Sequence, residues 1–304
     1  MNIGTVEISN RFALAPLAGI SCTAFRMLCK ENGVGLIYTQ MIDAKIIGEK
    51  SSTEVRQFLN IQEMERPVSV QLIGAEKQVL VNAVHAVEEY ADIIDLNVGC
   101  IEVDYLQKGC GAALLKDHPR LETLLRTMVD ATEKPVTAKI RIGWDNQHIN
   151  GVKVSELVES TGAQAVCIHG RTADQGYAGK VNWTIMKQVR EKLHIPVIAN
   201  GDVTSVSDGL ALLQKTGCDM AMIGREAQHC PWVFSNQPVD VKQQILRFIE
   251  LYEQYEIRQS PVEVADHVFW MLRDFTTTED TKKVHLIGTI PRIRRFVNRL
   301  EQIQ

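Results

Sequence analysis

Short apolar runs recur along the chain at regular spacing, over residues 12–15, 36–38, 68–73, 93–96, 136–140, 165–168, 196–199 and 220–223. Most are rich in Val and Ile and read as strands buried on both faces. Between them the apolar positions take up helical period. Residues 76–90 place Val79, Leu80, Ala83, Val84 and Val87 on one stripe, and residues 120–131 do the same with Leu121, Leu124, Leu125 and Val129. Residues 152–161 and 184–193 behave similarly, and Ser205 and Ser207 open a further helix that Gly217 closes. Eight strand–helix units predict an α/β fold, a (β/α)8 TIM barrel. Each unit has the length of a strand, crossover helix and strand. An open doubly wound sheet is the alternative. It would usually carry a GxGxxG turn after its first strand, where this chain has Pro16, Leu17, Ala18, Gly19 and Ile20.

The pattern changes near Phe234. Pro231, Ser235, Asn236, Gln237 and Pro238 punctuate the chain, and beyond them only helical period remains. Ile245, Phe248, Ile249 and Tyr252 share one stripe; Val264, Val268, Met271 and Leu272 share another, on a helix over 261–275; a third helix covers 290–303. The expected organisation is a barrel at residues 1–237 followed by a small helical domain at 238–304.

Composition adds exclusions. No apolar run approaches the ~18 residues of a membrane span, and the first residues lack the apolar core of a signal peptide. The seven cysteines are scattered, with no CxxC pair, so zinc-ribbon and thioredoxin-like readings fail and no metal site is expected. These features predict a cytoplasmic protein with reduced thiols, with no membrane partner. The net charge of −4 is uneven: residues 1–239 carry 23 basic against 27 acidic residues, and residues 240–304 carry ten of each. Arg292, Arg294, Arg295 and Arg299 cluster within that tail, after Lys282 and Lys283. A local basic face can hold phosphate on an acidic protein.

A (β/α)8 barrel carries its chemistry at the C-terminal ends of its strands. Polar groups crowd there: Gln71 on strand 3, Asn97 and Cys100 after strand 4, Lys139 and Arg141 on strand 5, His169, Gly170 and Arg171 after strand 6. Asn200, Gly201 and Asp202 follow strand 7, and Gly224 and Arg225 follow strand 8. Gly201, Gly224 and Arg225 sit where barrels commonly bind a phosphate group. Lys139 in an apolar strand needs an anionic partner. Together these groups suit a flavin mononucleotide: phosphate at strands 7 and 8, Lys139 near the pyrimidine side of the ring, Gln71 at the ring edge, and Cys100 as a proton donor over the reactive face.

At the level of motifs, the chain resembles the flavin-dependent tRNA-dihydrouridine synthases. The likeness runs through ALAPLAGISCTAFR near the start, DLNVGC and KGCGAALL around Cys100, then TAKIRIGW, HGRT, IPVIANGDV and MIGRE, and HVFWML in the tail. The resemblance implies FMN, a reduced nicotinamide (NADPH or NADH) as donor, and reduction of a uridine C5=C6 bond in folded tRNA. Cys100 is then the acid that protonates C5. Pro16, Leu17, Ala18, Gln71, Lys139, His169, Asn200, Gly201, Asp202, Gly224 and Arg225 are the implied FMN contacts. Asn97 and Arg171 are implied substrate contacts, with Arg292, Arg294 and Arg295 on the RNA-facing tail of a monomer. The chain departs from the family pattern with Ile101 where Pro is usual, with Glu102 and Asp104 where basic residues are common, with Leu17 in place of Met, and with Cys22 in place of Asp. Three other readings stay open: a synthase acting on ribosomal RNA, a flavin barrel acting on a small pyrimidine, and a non-catalytic RNA-binding relative.

Overall fold

The computed structural model describes residues 1–300, apart from the side chain of Asp280. Eight parallel strands close into a barrel: β1 (Phe12–Leu14), β2 (Leu36–Tyr38), β3 (Val68–Ile73), β4 (Ile93–Val98), β5 (Val136–Arg141), β6 (Ala165–His169), β7 (Val197–Asn200) and β8 (Met220–Ile223). Each strand pairs with the next, and β8 returns to β1 with Met222 opposite Ala13. A two-residue strand at Ile42–Asp43 extends the end of β3, with Ile42 opposite Leu72.

Every apolar run expected to be a strand is one, but β4 to β7 run further than the apolar reading. They continue through Val98, Arg141, His169 and Asn200. The reason is the two-residue period of a strand. In β5, Val136, Ala138 and Ile140 join the apolar layer under the helices, and Thr137, Lys139 and Arg141 take the alternate positions facing the interior. The ladder therefore outlasts the apolar residues. At the opposite end an antiparallel hairpin, Asn2–Ile3 with Val6–Glu7, closes the barrel. Its Ile3 and the following Ile8 are buried with Ala13, Tyr38, Cys167 and Met222 inside.

The helices of the outer ring follow their signals. The helix Val206–Thr216 starts where the Ser205 side chain accepts from the Asp208 amide, and it ends at Gly217 with φ +73. Helices Thr23–Glu31 and Ser52–Leu59 were not among the expected elements. In Thr23–Glu31 the residues from Thr23 to Cys29 are all buried, because the tail packs on the face that would otherwise meet water.

The tail forms helices Val241–Tyr255, Pro261–Leu272, Thr278–Lys283 and Ile290–Arg299. Both expected stripes are buried, with His267 added on the second. The third expected helix ends at Arg299 within the described residues, and its expected extension over 301–303 lies outside them. The tail shares its apolar cluster with the barrel: Phe248, Val268 and Ile293 belong with Phe25 and Leu28. No helix among the described residues is long and apolar enough to cross a membrane.

Candidate active site

A cleft of about 890 Å³ opens at the C-terminal ends of the strands. Its walls are Pro16, Leu17 and Ala18 from the β1 loop, Gln71, Asn97 and Cys100, then Lys139 and His169, then Asn200, Gly201 and Asp202, and Gly224 and Arg225. The barrel thus brings the expected cofactor residues, Asn97 and Cys100 to one place. Arg171, Arg292, Arg294 and Arg295 do not line it.

A chain of buried side chains underlies the Cys100 wall. Thr137 Oγ1 donates to Asp95 Oδ1 at 2.6 Å, and Gln71 Nε2 donates to Asp95 Oδ2 at 2.7 Å. Asn97 Nδ2 donates to Gln71 Oε1 at 2.8 Å, while Asn97 Oδ1 accepts from the amides of Gly99 (3.0 Å) and Cys100 (2.8 Å). Both ends of the Asn97 amide are therefore engaged in holding the loop. Burial pushes Asp95 up to about 6, opposed by the hydrogen bonds from Thr137 and Gln71 and by Lys139.

The loop is gripped from two further sides. Arg141 Nε donates to Gly99 O at 2.8 Å, and its Nη1 donates to the carbonyls of Thr172 and Gly176. The Ala112 amide donates to Cys100 O at 2.9 Å. Gly111 has φ +59, and a Cβ there would lie 2.6 Å from Cys100 O. Only glycine permits both that backbone and that approach. Cys110 is buried between its glycines, as its sequence position suggests. Burial pushes the Cys100 thiol above its ordinary range; the Glu102 amide opposes this, and the Glu102 carboxylate adds to it. The thiol is protonated at neutral pH.

The far wall is cationic. Lys139 Nζ donates to Asn200 Oδ1 at 3.1 Å, and Asn200 Nδ2 donates to Met222 O at 3.0 Å. Burial lowers the Lys139 ammonium. His169 is lowered to about 2, first by burial and then by the surrounding cations Lys139, Arg141, Arg171 and Arg225, so its imidazole is neutral. At the strand 7–8 corner, Gly201 has φ +136. Arg225 Nη2 donates to Asp202 Oδ1 at 2.8 Å, and its guanidinium lies 5.2 Å from the centre of the Tyr177 ring.

Arg171 has a different place from the expected substrate contact. It is 3% exposed, its donors go to the carbonyls of Ala178 and Gly179, and it forms a bidentate pair with Asp202. The loop after β6 folds back over it, so it braces Asp202 from behind the cleft. The tail arginines also differ among themselves. Arg294 pairs with Glu253, whereas Arg292, Arg295 and Arg299 are exposed on the face opposite Ile293 and Val297.

Several lining residues carry no role predicted from sequence, Tyr177 and Arg273 among them. Tyr177 comes from a loop without period, so nothing local marks it. Arg273 sits at the C-terminal end of the helix Pro261–Leu272 and brings a tail cation into the cleft wall. The alternation of β5 did place Arg141 beside Lys139 on the inner face, which was the one available signal for its grip on the loop.

Comparison with known proteins agrees with this geometry. The family model "Dihydrouridine synthase (Dus)" matches residues 13–284. The chain is 37% identical over 235 residues to tRNA-dihydrouridine synthase B of Pseudomonas syringae pv. tomato, covering 77% of this chain and 69% of that protein. It is 34% identical over 300 residues to tRNA-dihydrouridine synthase B of Vibrio vulnificus, covering 93% and 92%. Among solved structures, histamine dehydrogenase from Rhizobium sp. 4-9 superposes with a TM-score of 0.61 at 13% identity, over 83% of this chain and 50% of that one, a likeness of fold alone. With the match spanning both the barrel and most of the tail, the chain belongs to the dihydrouridine synthase family.

Proposed function

We propose that this chain reduces the C5=C6 bond of uridine to 5,6-dihydrouridine in tRNA, with FMN as its prosthetic group and a reduced nicotinamide, NADPH or NADH, as electron source. The observation that carries the reading is the Cys100 thiol, clamped on one wall of a cleft whose other walls are Lys139, His169 and Arg225. The names of the relatives in Pseudomonas and Vibrio support tRNA as the substrate.

The cleft suits FMN in size and in chemistry. Its volume of about 890 Å³ is in the range of cofactor sites. Lys139 has a neutral amide as its hydrogen-bond partner, and a half-buried ammonium in the cleft wall is suited to an anion. Arg225 keeps donors beyond the one given to Asp202, its side chain is 53% exposed, and Gly201 and Gly224 line the cleft beside it. Those three positions would hold the phosphate. Pro16, Leu17 and Ala18 would bound the ring on one side, Gln71 its edge, and Lys139 would favour negative charge on it.

When bound, FMN supplies the hydride that reaches C6 of the base. The chain's own residues do the rest. Negative charge developing at C5 needs a proton, and the Cys100 thiol holds one at neutral pH. Asn97 and Arg141 fix the loop that carries the thiol, so its approach to C5 is set before substrate arrives. Glu102 makes the rim beside Cys100 acidic. RNA phosphates are better served across the cleft by Arg273 and by the exposed stripe of Arg292, Arg295 and Arg299. The protein would act as a monomer, and its seven free thiols suit the cytoplasm.

Incubating the purified chain with NADPH and unmodified tRNA, then digesting the RNA for nucleoside mass spectrometry, tests this. Yellow protein and dihydrouridine are expected. Colourless protein that fails to take up FMN would overturn the cofactor assignment. Yellow protein that leaves tRNA unchanged would overturn the substrate.

A further inference from the structure

A second cluster of reactive side chains lies away from the cleft, where the tail meets the barrel. Cys22 comes from the loop after β1, and Glu263 and His267 come from the tail helix Pro261–Leu272. One ligand atom from each lies within 4.8 Å of the other two, and no other such trio occurs among the described residues. We propose that Cys22, Glu263 and His267 bind a zinc ion that clasps the tail to the barrel, with a water as fourth ligand.

The spacing argues for it first. Glu263 and His267 are four residues apart on one helix, so both project from the same face. Cys22 Sγ lies 3.5 Å from His267 Nε2. A tetrahedral zinc with sulfur at ~2.3 Å and nitrogen at ~2.05 Å spans about 3.6 Å between those ligands.

The second argument is how poorly these groups are otherwise satisfied. His267 is 2% exposed, its Nδ1 has no hydrogen-bond partner, and its one polar contact is the weakly polar thiol. Phe25 and Phe248 flank the ring, with centroids 5.7 and 4.7 Å away. A buried imidazole whose one polar partner is a thiol is poorly compensated, and a cation on Nε2 would replace that weak contact with a metal bond. Cys22 occupies the N-cap of the helix Thr23–Glu31 yet makes no capping bond. Glu256 Oε1 accepts from the Ala24 amide at 3.0 Å in its place, which frees the thiol to face His267.

The third argument is the surroundings. Tyr252 donates its hydroxyl to Glu263 Oε2 at 2.5 Å, the kind of outer contact that orients a ligating carboxylate. A second cleft of about 480 Å³ reaches Cys22, Glu256 and Glu263, giving the ion an entry path and the fourth ligand a source. Cysteinate and Glu263 together balance the charge of zinc, with the thiol proton released to solvent on binding. Thiolate and imidazole ligands favour zinc over magnesium or calcium.

The test uses the full-length, tag-free protein. After exposure to zinc and dialysis against a weak chelator, roughly one zinc per chain should remain. Replacing zinc with cobalt should give absorption in the red, beyond the flavin bands, together with a thiolate-to-cobalt transition. Cys22→Ser should abolish that transition. Tyr252→Phe, which keeps the ring and removes only the hydroxyl, should weaken zinc about 10–100-fold. His267→Asn should weaken it more. Wild-type protein that retains no zinc or cobalt overturns the proposal without recourse to any variant. So does metal whose affinity and cobalt spectrum are unchanged in folded Cys22→Ser and Tyr252→Phe protein.

Discussion

Two cysteines of one loop, Cys100 and Cys110, can be separated experimentally. Cys100 faces the cleft, whereas Cys110 is buried in the turn beneath it. General acid catalysis contributes about 10²–10⁴-fold, so Cys100→Ala should slow uridine reduction by that order while leaving FMN content and flavin reduction by nicotinamide intact. Cys110→Ala should be mild. Rapid-mixing kinetics decides between them; normal flavin reoxidation in Cys100→Ala paired with a large loss in Cys110→Ala would reverse the assignment. Asp95 acts one step further back, through Gln71 and Asn97. Its pKa of about 6 in the folded state exceeds the ~3.9 of an unfolded chain, so the native state binds this proton more tightly. Its contribution to stability is therefore lost as pH rises from about 4 to about 6, by roughly 3 kcal/mol. Asp95→Asn should flatten that part of the stability profile and also lower turnover. Urea titrations of both proteins at the two ends of that window provide the check, and identical slopes would contradict it.

The element that most constrains the site is the segment leading into Gly111–Lys116, a short helical turn behind the Cys100 loop. Gly111 lies against the Cys100 carbonyl, and the Ala112 amide bonds that same oxygen. Gly111→Ala asks a side chain to take a left-handed backbone, at about 1–2 kcal/mol, and drives its Cβ into the carbonyl. We expect a loss of more than about 2 kcal/mol in stability and a fall in turnover, with FMN content preserved because the far wall is untouched. Gly109→Ala carries the same backbone strain, at φ +73, but its Cβ would meet the end of the Arg120 side chain and no backbone atom, so it should cost less. Equal effects of the two substitutions on turnover would separate the segment from the chemistry.

At the scale of the whole molecule, the tail completes the cleft. Arg273 reaches the cleft wall, and Arg292, Arg295 and Arg299 form an exposed stripe on the helix Ile290–Arg299. Phosphate contacts of this kind make binding fall with salt at a slope of about −0.9 per contact. The double substitution Arg292→Ala and Arg295→Ala should therefore weaken tRNA binding and flatten its salt dependence by about 1–2, with flavin content unchanged. Arg294→Ala should change the slope little, because Glu253 already pairs with it. Binding measured across a salt series tests both statements, and an unchanged slope in the double variant would move the RNA surface elsewhere.

The linear chain carried the architecture. Hydrophobic period marks strands and helices because a strand between two layers and a helix on one must bury their apolar positions wherever they lie in sequence. The rim residues were legible for the same reason: once eight strands are counted, the residues just after each run must gather at one end. Cys100, Lys139, His169 and Arg225 were found this way. What only the tertiary structure decided is which polar groups remain free. Arg171 and Arg294 look alike in sequence to Arg225 and Arg295, yet a returning loop consumes the donors of Arg171 and a neighbouring helix pairs Arg294 with Glu253. Tyr177 and Arg273 reach the cleft through a loop and a tail whose placement no local pattern encodes. Cys22 and His267 are 245 residues apart and show no metal-binding spacing, because their meeting depends on how the tail packs against the barrel. Periodicity is a local property of the chain, whereas the pairing of charges and ligands depends on which surfaces come together when it folds.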